Sequence, residues 1–112
     1  MRAASQPQGV TGTFGLTVRA VGEQGGVFYL NSELDYRDQR NLSIAIPADL
    51  YADLAARLGG SPREKLLGKH IEVTGVARRV TIFFLANGRR TDKYYYQTHI
   101  ELHSLDDLKL PR

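Results

Sequence analysis

From Phe14 to Val21 apolar and polar residues alternate with period two, placing Leu16, Val18 and Ala20 on one face, the signature of a half-buried strand. Gly22-Glu23-Gln24-Gly25-Gly26 supplies the positive-φ freedom of a turn, and Val27-Phe28-Tyr29-Leu30 returns as a second strand. The two form an antiparallel hairpin. A charged connector, Asp35-Tyr36-Arg37-Asp38-Gln39-Arg40-Asn41, leads to a third short strand at Leu42-Ser43-Ile44-Ala45-Ile46. The period then changes: Leu50, Leu54 and Leu58 recur every four residues, with Pro47 and Asp49 at the start and Gly59-Gly60 at the end, which predicts a helix of about three turns with one apolar stripe. Ser61-Pro62-Arg63-Glu64 begins a further short turn with Ser61 as its cap. A long fourth strand opens at Leu67 and extends to Ala86, and Lys93 to His103 is the fifth.

Asn87-Gly88 is the dipeptide of a two-residue type I′ turn, and it fixes a register in which Ala86 faces Arg89, Gly75 faces Ile100 and Val73 faces Leu102. Ile71, Val73, Ala77, Tyr96, Ile100 and Leu102 then share one face, as a core requires. Arg78, Val80, Ile82 and Phe84 fall on the other, beside Lys93, Tyr95, Gln97 and His99. An outward apolar stripe needs a cause. Either a bulge near Gly75 or Arg79 turns Val80, Ile82 and Phe84 inward, or the hairpin runs past the body of the fold and meets a partner, a second copy or unstacked bases.

The element order, the wording Leu67-Gly68-Lys69-x-Ile71-x-Val73-x-Gly75 and the closing Ile100-x-Leu102 and Leu108-x-Leu110 pattern resemble the OB-fold over residues 12–110. The resemblance implies a mainly β chain, a five-stranded barrel with one helix between strands three and four, preceded by a flexible leader at residues 1–11. It also implies a binding surface on the second and third strands and on the loops joining strands one to two and four to five. Carried onto this chain, those positions are Arg19, Tyr29 and Tyr36 on the face and Arg89, Arg90 and Lys93 at the hairpin tip. OB domains bind DNA, RNA, oligosaccharide or protein, so the fold alone does not choose a ligand.

Charge narrows the choice. The chain of 112 residues is 42% hydrophobic and has a net charge of +3, enough for one core. Arg78, Arg79, Arg89, Arg90 and Lys93 stand against a single Asp92 between residues 78 and 93, so this segment alone carries more positive charge than the whole molecule. The absence of cysteine excludes disulfides, thiolate chemistry and Cys-based zinc sites. No run approaches the ~20 apolar residues that span a bilayer, and the first eight residues lack an apolar signal core, so no membrane insertion is expected. An Ala/Ser/Gln/Pro leader also fits a chain beginning just after a cleaved signal peptide. Localisation is therefore open between cytoplasm and periplasm.

Catalytic patterns are missing. His99, Glu101 and His103 share a face with Glu72 expected opposite His103, but residues at this spacing stand ~7 Å apart and lack zinc-ligand spacing, so they read as solvated outer-face residues. No Ser or Thr lies in a nucleophile motif, and neither Gly25-Gly26 nor Gly59-Gly60 lies in a phosphate loop. No cofactor is expected. The expectation is a non-enzymatic module that binds single-stranded DNA or RNA, with the five cations tracking phosphates and Tyr29 or Tyr95 stacking on bases. Its rival is a protein-interaction module in which Val80, Ile82 and Phe84 meet a protein partner or a second copy.

Overall fold

The computed structural model describes residues 9–35, 37, 38 and 40–110. Among them the strands are β1 (Val10–Thr17), β2 (Ala20–Gln24), β3 (Val27–Asn31), β4 (Leu42–Pro47), β5 (His70–Ala86), β6 (Arg89–Glu101) and β7 (Leu108–Lys109). Two helices, α1 (Ala48–Leu58) and α2 (Pro62–Leu66), lie between β4 and β5, and a 3-10 turn at Leu105–Asp107 precedes β7. The protein is mainly β. Its sheet has the order β1-β5-β6-β4-β3-β2, with β7 added to β5, and every pairing is antiparallel except the parallel β4–β6.

Of the two strands beyond the expected five, one is β7 and the other arises because the expected first strand is broken. Val18 N–H donates to the Lys69 carbonyl at 2.9 Å and Arg19 N–H to the Asn31 carbonyl at 2.8 Å, so the chain leaves β5 and joins β3 within two residues. The break also resets the alternation. Leu16 and Val18 are buried as expected, but Val21 replaces Ala20 as the next core residue. Strand β1 starts at Val10, so it takes in the last two residues of the expected leader. Gly22, Glu23 and Gln24 belong to β2, which leaves Gly25 and Gly26 as a two-residue turn with φ of 61° and 81°, the left-handed pair that a primed hairpin turn requires.

Helix α1 follows its sequence pattern. Leu54 is fully buried, Leu50 and Leu58 pack at the core margin, and the Tyr51 ring lies 3.7 Å from that of Phe28 on β3, nearly parallel to it. Gly59 ends the helix at φ 75°, with Gly60 N–H donating to the Ala55 carbonyl. The turn expected at Ser61 is the short helix α2, but the Ser61 side chain makes no capping bond; Arg63 instead ties α2 to β2 by donating from Nη2 to the Val21 carbonyl at 2.6 Å.

Leu30, Ile44, Ile46, Leu54, Leu66, Ile71, Val73, Ile100 and Leu102 fill the core at 1% exposure or less. Each such side chain contributes about 1.5–3 kcal/mol on burial. The expected inward face of β5 and β6 is thus buried at Ile71, Val73, Ala77, Ile100 and Leu102. Tyr96 is the exception, and it lies outside the core. Among the described residues no helix is long and apolar enough to cross a membrane.

Candidate functional site

Strand β5 is longer than anything that flanks it. β1 accompanies it from His70 to Ala77, and β4 accompanies β6 only from Thr98 to Glu101. Between Arg78 and Gln97 the described strands of the hairpin pair only with each other. They form an arm. The molecule is accordingly elongated, 43 × 31 × 23 Å. The β1–β5 register runs unbroken past Gly75, and the β5–β6 register runs unbroken from Ala77 to Phe83, so no bulge at Gly75 or Arg79 turns the strand over. Val80, Ile82 and Phe84 therefore stay on the arm's surface rather than entering the core, with Phe84 41% exposed.

The arm tip folds as its sequence dictates: Asn87 and Gly88 have φ of 53° and 75°, and Ala86 faces Arg89 and Leu85 faces Arg90. Below the tip the register changes. Phe84 alone separates Leu85 from Phe83, whereas Thr91, Asp92 and Lys93 separate Arg90 from Tyr94 on the facing strand. The bulge is pinned by Thr91, whose Oγ1 donates to the Phe84 carbonyl at 2.7 Å and accepts from Lys93 N–H at 3.2 Å. Ile100 consequently faces Ala77 instead of Gly75. The displacement is two residues, so every side chain keeps its face although its cross-strand neighbour changes.

One face of the arm carries an aromatic ladder closed at each end by a cation. The Arg79 guanidinium lies 4.4 Å from the Tyr96 ring centre, Tyr96 is 5.4 Å from Tyr94, Tyr94 is 6.0 Å from Phe83, and the Arg90 guanidinium is 4.5 Å from Phe83. Tyr94 is 52% exposed and Phe83 36%. A hydrogen bond to Tyr96 raises the Tyr94 hydroxyl above the ordinary tyrosine value. This is the same face that is buried lower down the hairpin; beyond Ala77 the strands opposite it have ended and it meets solvent.

The opposite face is more self-contained. Tyr95, half-buried, packs 5.3 Å from Phe84, and its hydroxyl accepts from Gln97 Nε2 at 3.2 Å. Gln97 Oε1 lies 2.6 Å from His99 Nε2, and His99 rests 5.6 Å from the half-buried Tyr29. Burial lowers the His99 pKa, with Glu101 opposing the shift more weakly. Tyr29 and Tyr95, the rings expected to stack on a ligand, are thus engaged with their own neighbours. Nor is His99 a solvated outer-face residue, whereas Glu72, Glu101 and His103 are exposed, the last two 4.0 Å apart. Glu72 faces Gly15 and Lys109 rather than His103. Among the described residues no group of three His, Asp or Glu side chains is arranged to hold a metal ion.

The cations divide similarly. Arg78, Arg79, Arg89, Arg90 and Lys93 are all exposed on the arm: Arg79 and Arg90 on the ladder face, Arg78 and Arg89 on the opposite face, Lys93 in the bulge. Arg19 is elsewhere. It lines a shallow open depression of about 340 Å³ between the β1–β2 break and the charged connector, with Thr17, Ser32, Glu33 and Arg40. In that connector two turns repeat one device: Asp35 accepts from the backbone and guanidinium of Arg37, and Asp38 does the same for Arg40, the latter pair at 2.8 Å. These bonds lower the Asp35 pKa and hold that of Asp38 at about 2. Tyr36 lies outside the described residues.

Phe83, Tyr94 and Tyr96 are the site residues that the sequence reading passed over. Parity places Tyr96 on the core face, which is correct for direction and wrong for environment. The available signal was length: a fourth strand running from Leu67 to Ala86 cannot be covered along its whole face by a third running only from Leu42 to Ile46. Comparison with known proteins adds nothing to this geometry, since no family model, curated protein or solved structure matches the chain.

Proposed function

We propose that this chain is a non-enzymatic binding module of OB type whose arm binds single-stranded nucleic acid. Three features support the OB reading: the end strands β1 and β2 are consecutive and joined through Val18 and Arg19, β4 and β6 run parallel, and helix α1 follows β4 directly. The observation that carries the binding reading is the ladder of Phe83, Tyr94 and Tyr96 between Arg79 and Arg90. The exposed rings of Phe83 and Tyr94 offer stacking surface to a base, and neighbouring guanidinium groups neutralise phosphates, the combination that single strands require. Arg78, Arg89 and Lys93 extend the positive field around the tip, where phosphate contacts release counterions and make affinity fall with salt.

The test is fluorescence anisotropy of labelled single-stranded DNA and RNA across about 50–200 mM salt, with native protein and with Arg89→Glu/Arg90→Glu. The expected result is binding that weakens steeply with salt, and a variant that loses both affinity and salt slope. Absence of binding at the lowest salt refutes the reading. It would favour the protein-contact alternative, for which the exposed Phe84 at 41% and Leu85 at 70% speak.

A further inference from the structure

We infer that two copies of this chain join through the outer edge of β5 in the arm, pairing antiparallel about a two-fold axis at Ile82, so that the two arms form one four-stranded sheet. The inference goes beyond the nucleic-acid reading and does not depend on it. Strand β1 occupies this edge only as far as Ala77, and among the described residues no strand continues it. Parity identifies the backbone groups left open. The Lys69 carbonyl accepts from Val18 on the β1 side and the Phe84 carbonyl accepts from Thr91 on β6, so odd-numbered residues of β5 turn N–H and C=O toward the outer edge and even-numbered residues turn theirs toward β6. Arg79, Thr81, Phe83 and Leu85 therefore carry the open groups, and Ile82 is their midpoint.

Open edges are templates for further pairing, and folded proteins blunt them with charges, proline or bulges. The outer edge of β6 is blunted in this way, by the Thr91–Lys93 bulge and the charges of Arg89, Arg90, Asp92 and Lys93. The edge of β5 is not: Val80-Thr81-Ile82-Phe83-Phe84-Leu85-Ala86 has no charge, proline or glycine. This stretch is also complementary to itself, which selects a second copy as its occupant. About Ile82, Thr81 of one copy opposes Phe83 of the other and Arg79 opposes Leu85, so all four open residues of each copy are paired. On the opposite face Ile82 meets its own counterpart, Val80 meets Phe84 and Arg78 meets Ala86. No arginine faces an arginine. The stripe of Val80, Ile82 and Phe84, left on the surface of one chain, becomes a continuous apolar row across two.

Sedimentation equilibrium of the nucleic-acid-free chain from about 1 to 200 μM tests for the dimer by mass action. Both arms are basic, so salt screens their repulsion: the dimer should tighten at least about threefold between about 50 and 500 mM salt, whereas an assembly bridged by nucleic acid would weaken. Ile82→Lys sets like charges against each other at the axis and removes the central apolar pair, and should weaken the dimer at least about tenfold. Because the chain has no cysteine, one introduced thiol reads the register. At the axis the two Cα atoms would stand about 4.5 Å apart, within disulfide reach, so oxidation should couple Ile82→Cys chains; Phe84→Cys, roughly 14 Å from its counterpart, should couple at least about tenfold more slowly. A chain that stays monomeric to about 200 μM at both salts, a dimer that Ile82→Lys leaves intact, or equal coupling of the two thiol variants overturns the inference. Sedimentation of the native chain needs no variant, so poor folding of Ile82→Lys would not protect it.

Discussion

Asn41 is fully buried at the end of the charged connector and offers a sharp test of what fixes that segment to the sheet. Its Nδ2 donates to Asn31 Oδ1 at 3.2 Å and to Ser43 Oγ at 2.9 Å, and its Oδ1 accepts from Glu33 N–H at 3.1 Å. Asn31 and Ser43, also buried, bond to each other, so truncation of Asn41 leaves those two partly satisfied and Glu33 N–H without that acceptor. At about 1 kcal/mol for each net bond, and more for a group left unsatisfied, Asn41→Ala should cost about 2–3 kcal/mol. That is a large share of the roughly 5–15 kcal/mol that holds a domain folded. At roughly 4 °C per kcal/mol the melting temperature should fall by roughly 8–12 °C, and urea unfolding should show a lower midpoint with an unchanged slope.

Asn41→Asp separates hydrogen bonding from shape. The variant places a carboxylate oxygen where Nδ2 now donates, against the acceptor Oδ1 of Asn31, and buries its charge. Its folded pKa should rise above the ordinary value of about 3.9, so the folded state binds the proton more tightly and stability is lost as pH rises through that raised value. Asn41→Asp should therefore be less stable than Asn41→Ala at neutral pH and recover towards it as pH falls to about 4. An alanine variant within about 0.5 kcal/mol of the native protein, or an aspartate variant indifferent to pH, would show that this cluster does not anchor the connector.

His99 gives a second pH dependence, of the opposite sign. Burial depresses its folded pKa below 6.5, so the unfolded chain binds the proton more readily, and the native protein should lose stability as pH falls below that value. Thermal melts of native protein and His99→Gln between pH 7 and pH 5 should converge on acidification if this is correct, and parallel curves would refute it. Gly9 should be intolerant of a side chain: at φ 89°, an added Cβ would lie 2.7 Å from Val76 Cγ1 and 2.8 Å from the Ala77 carbonyl oxygen. Gly9→Ala is expected to cost about 1–3 kcal/mol by urea unfolding, whereas Gly22→Ala, with nothing within 4 Å of its added Cβ, should stay within about 0.5 kcal/mol. Equal effects at the two glycines would contradict the close packing of Gly9 on β5.

Much of this architecture is written locally. Alternation of apolar residues gives the strands their faces, the four-residue spacing of Leu50, Leu54 and Leu58 gives α1 its buried stripe, and Asn87-Gly88 gives the arm its tip, because each depends on neighbours within a few positions. Side-chain direction survived even the bulge, since a displacement of two residues leaves strand parity intact.

What surrounds each face is a different quantity. Tyr96 and Ile100 point the same way from one strand, yet Ile100 is fully buried and Tyr96 stands on the arm, because the strands that cover Ile100 stop short of Tyr96. The break at Val18 and Arg19 likewise depends on where Lys69 and Asn31 accept hydrogen bonds, positions remote in the chain. The bulge held by Thr91 arises from pairing along the whole hairpin. The sequence by itself determined which residues are basic or aromatic, which strand carries them and on which face. Tertiary structure alone decided that Phe83, Tyr94 and Tyr96 form a row between Arg79 and Arg90 with Phe83 and Tyr94 exposed, while Tyr29 and Tyr95 pack against their own neighbours, because exposure depends on the length and register of strands that are distant in sequence.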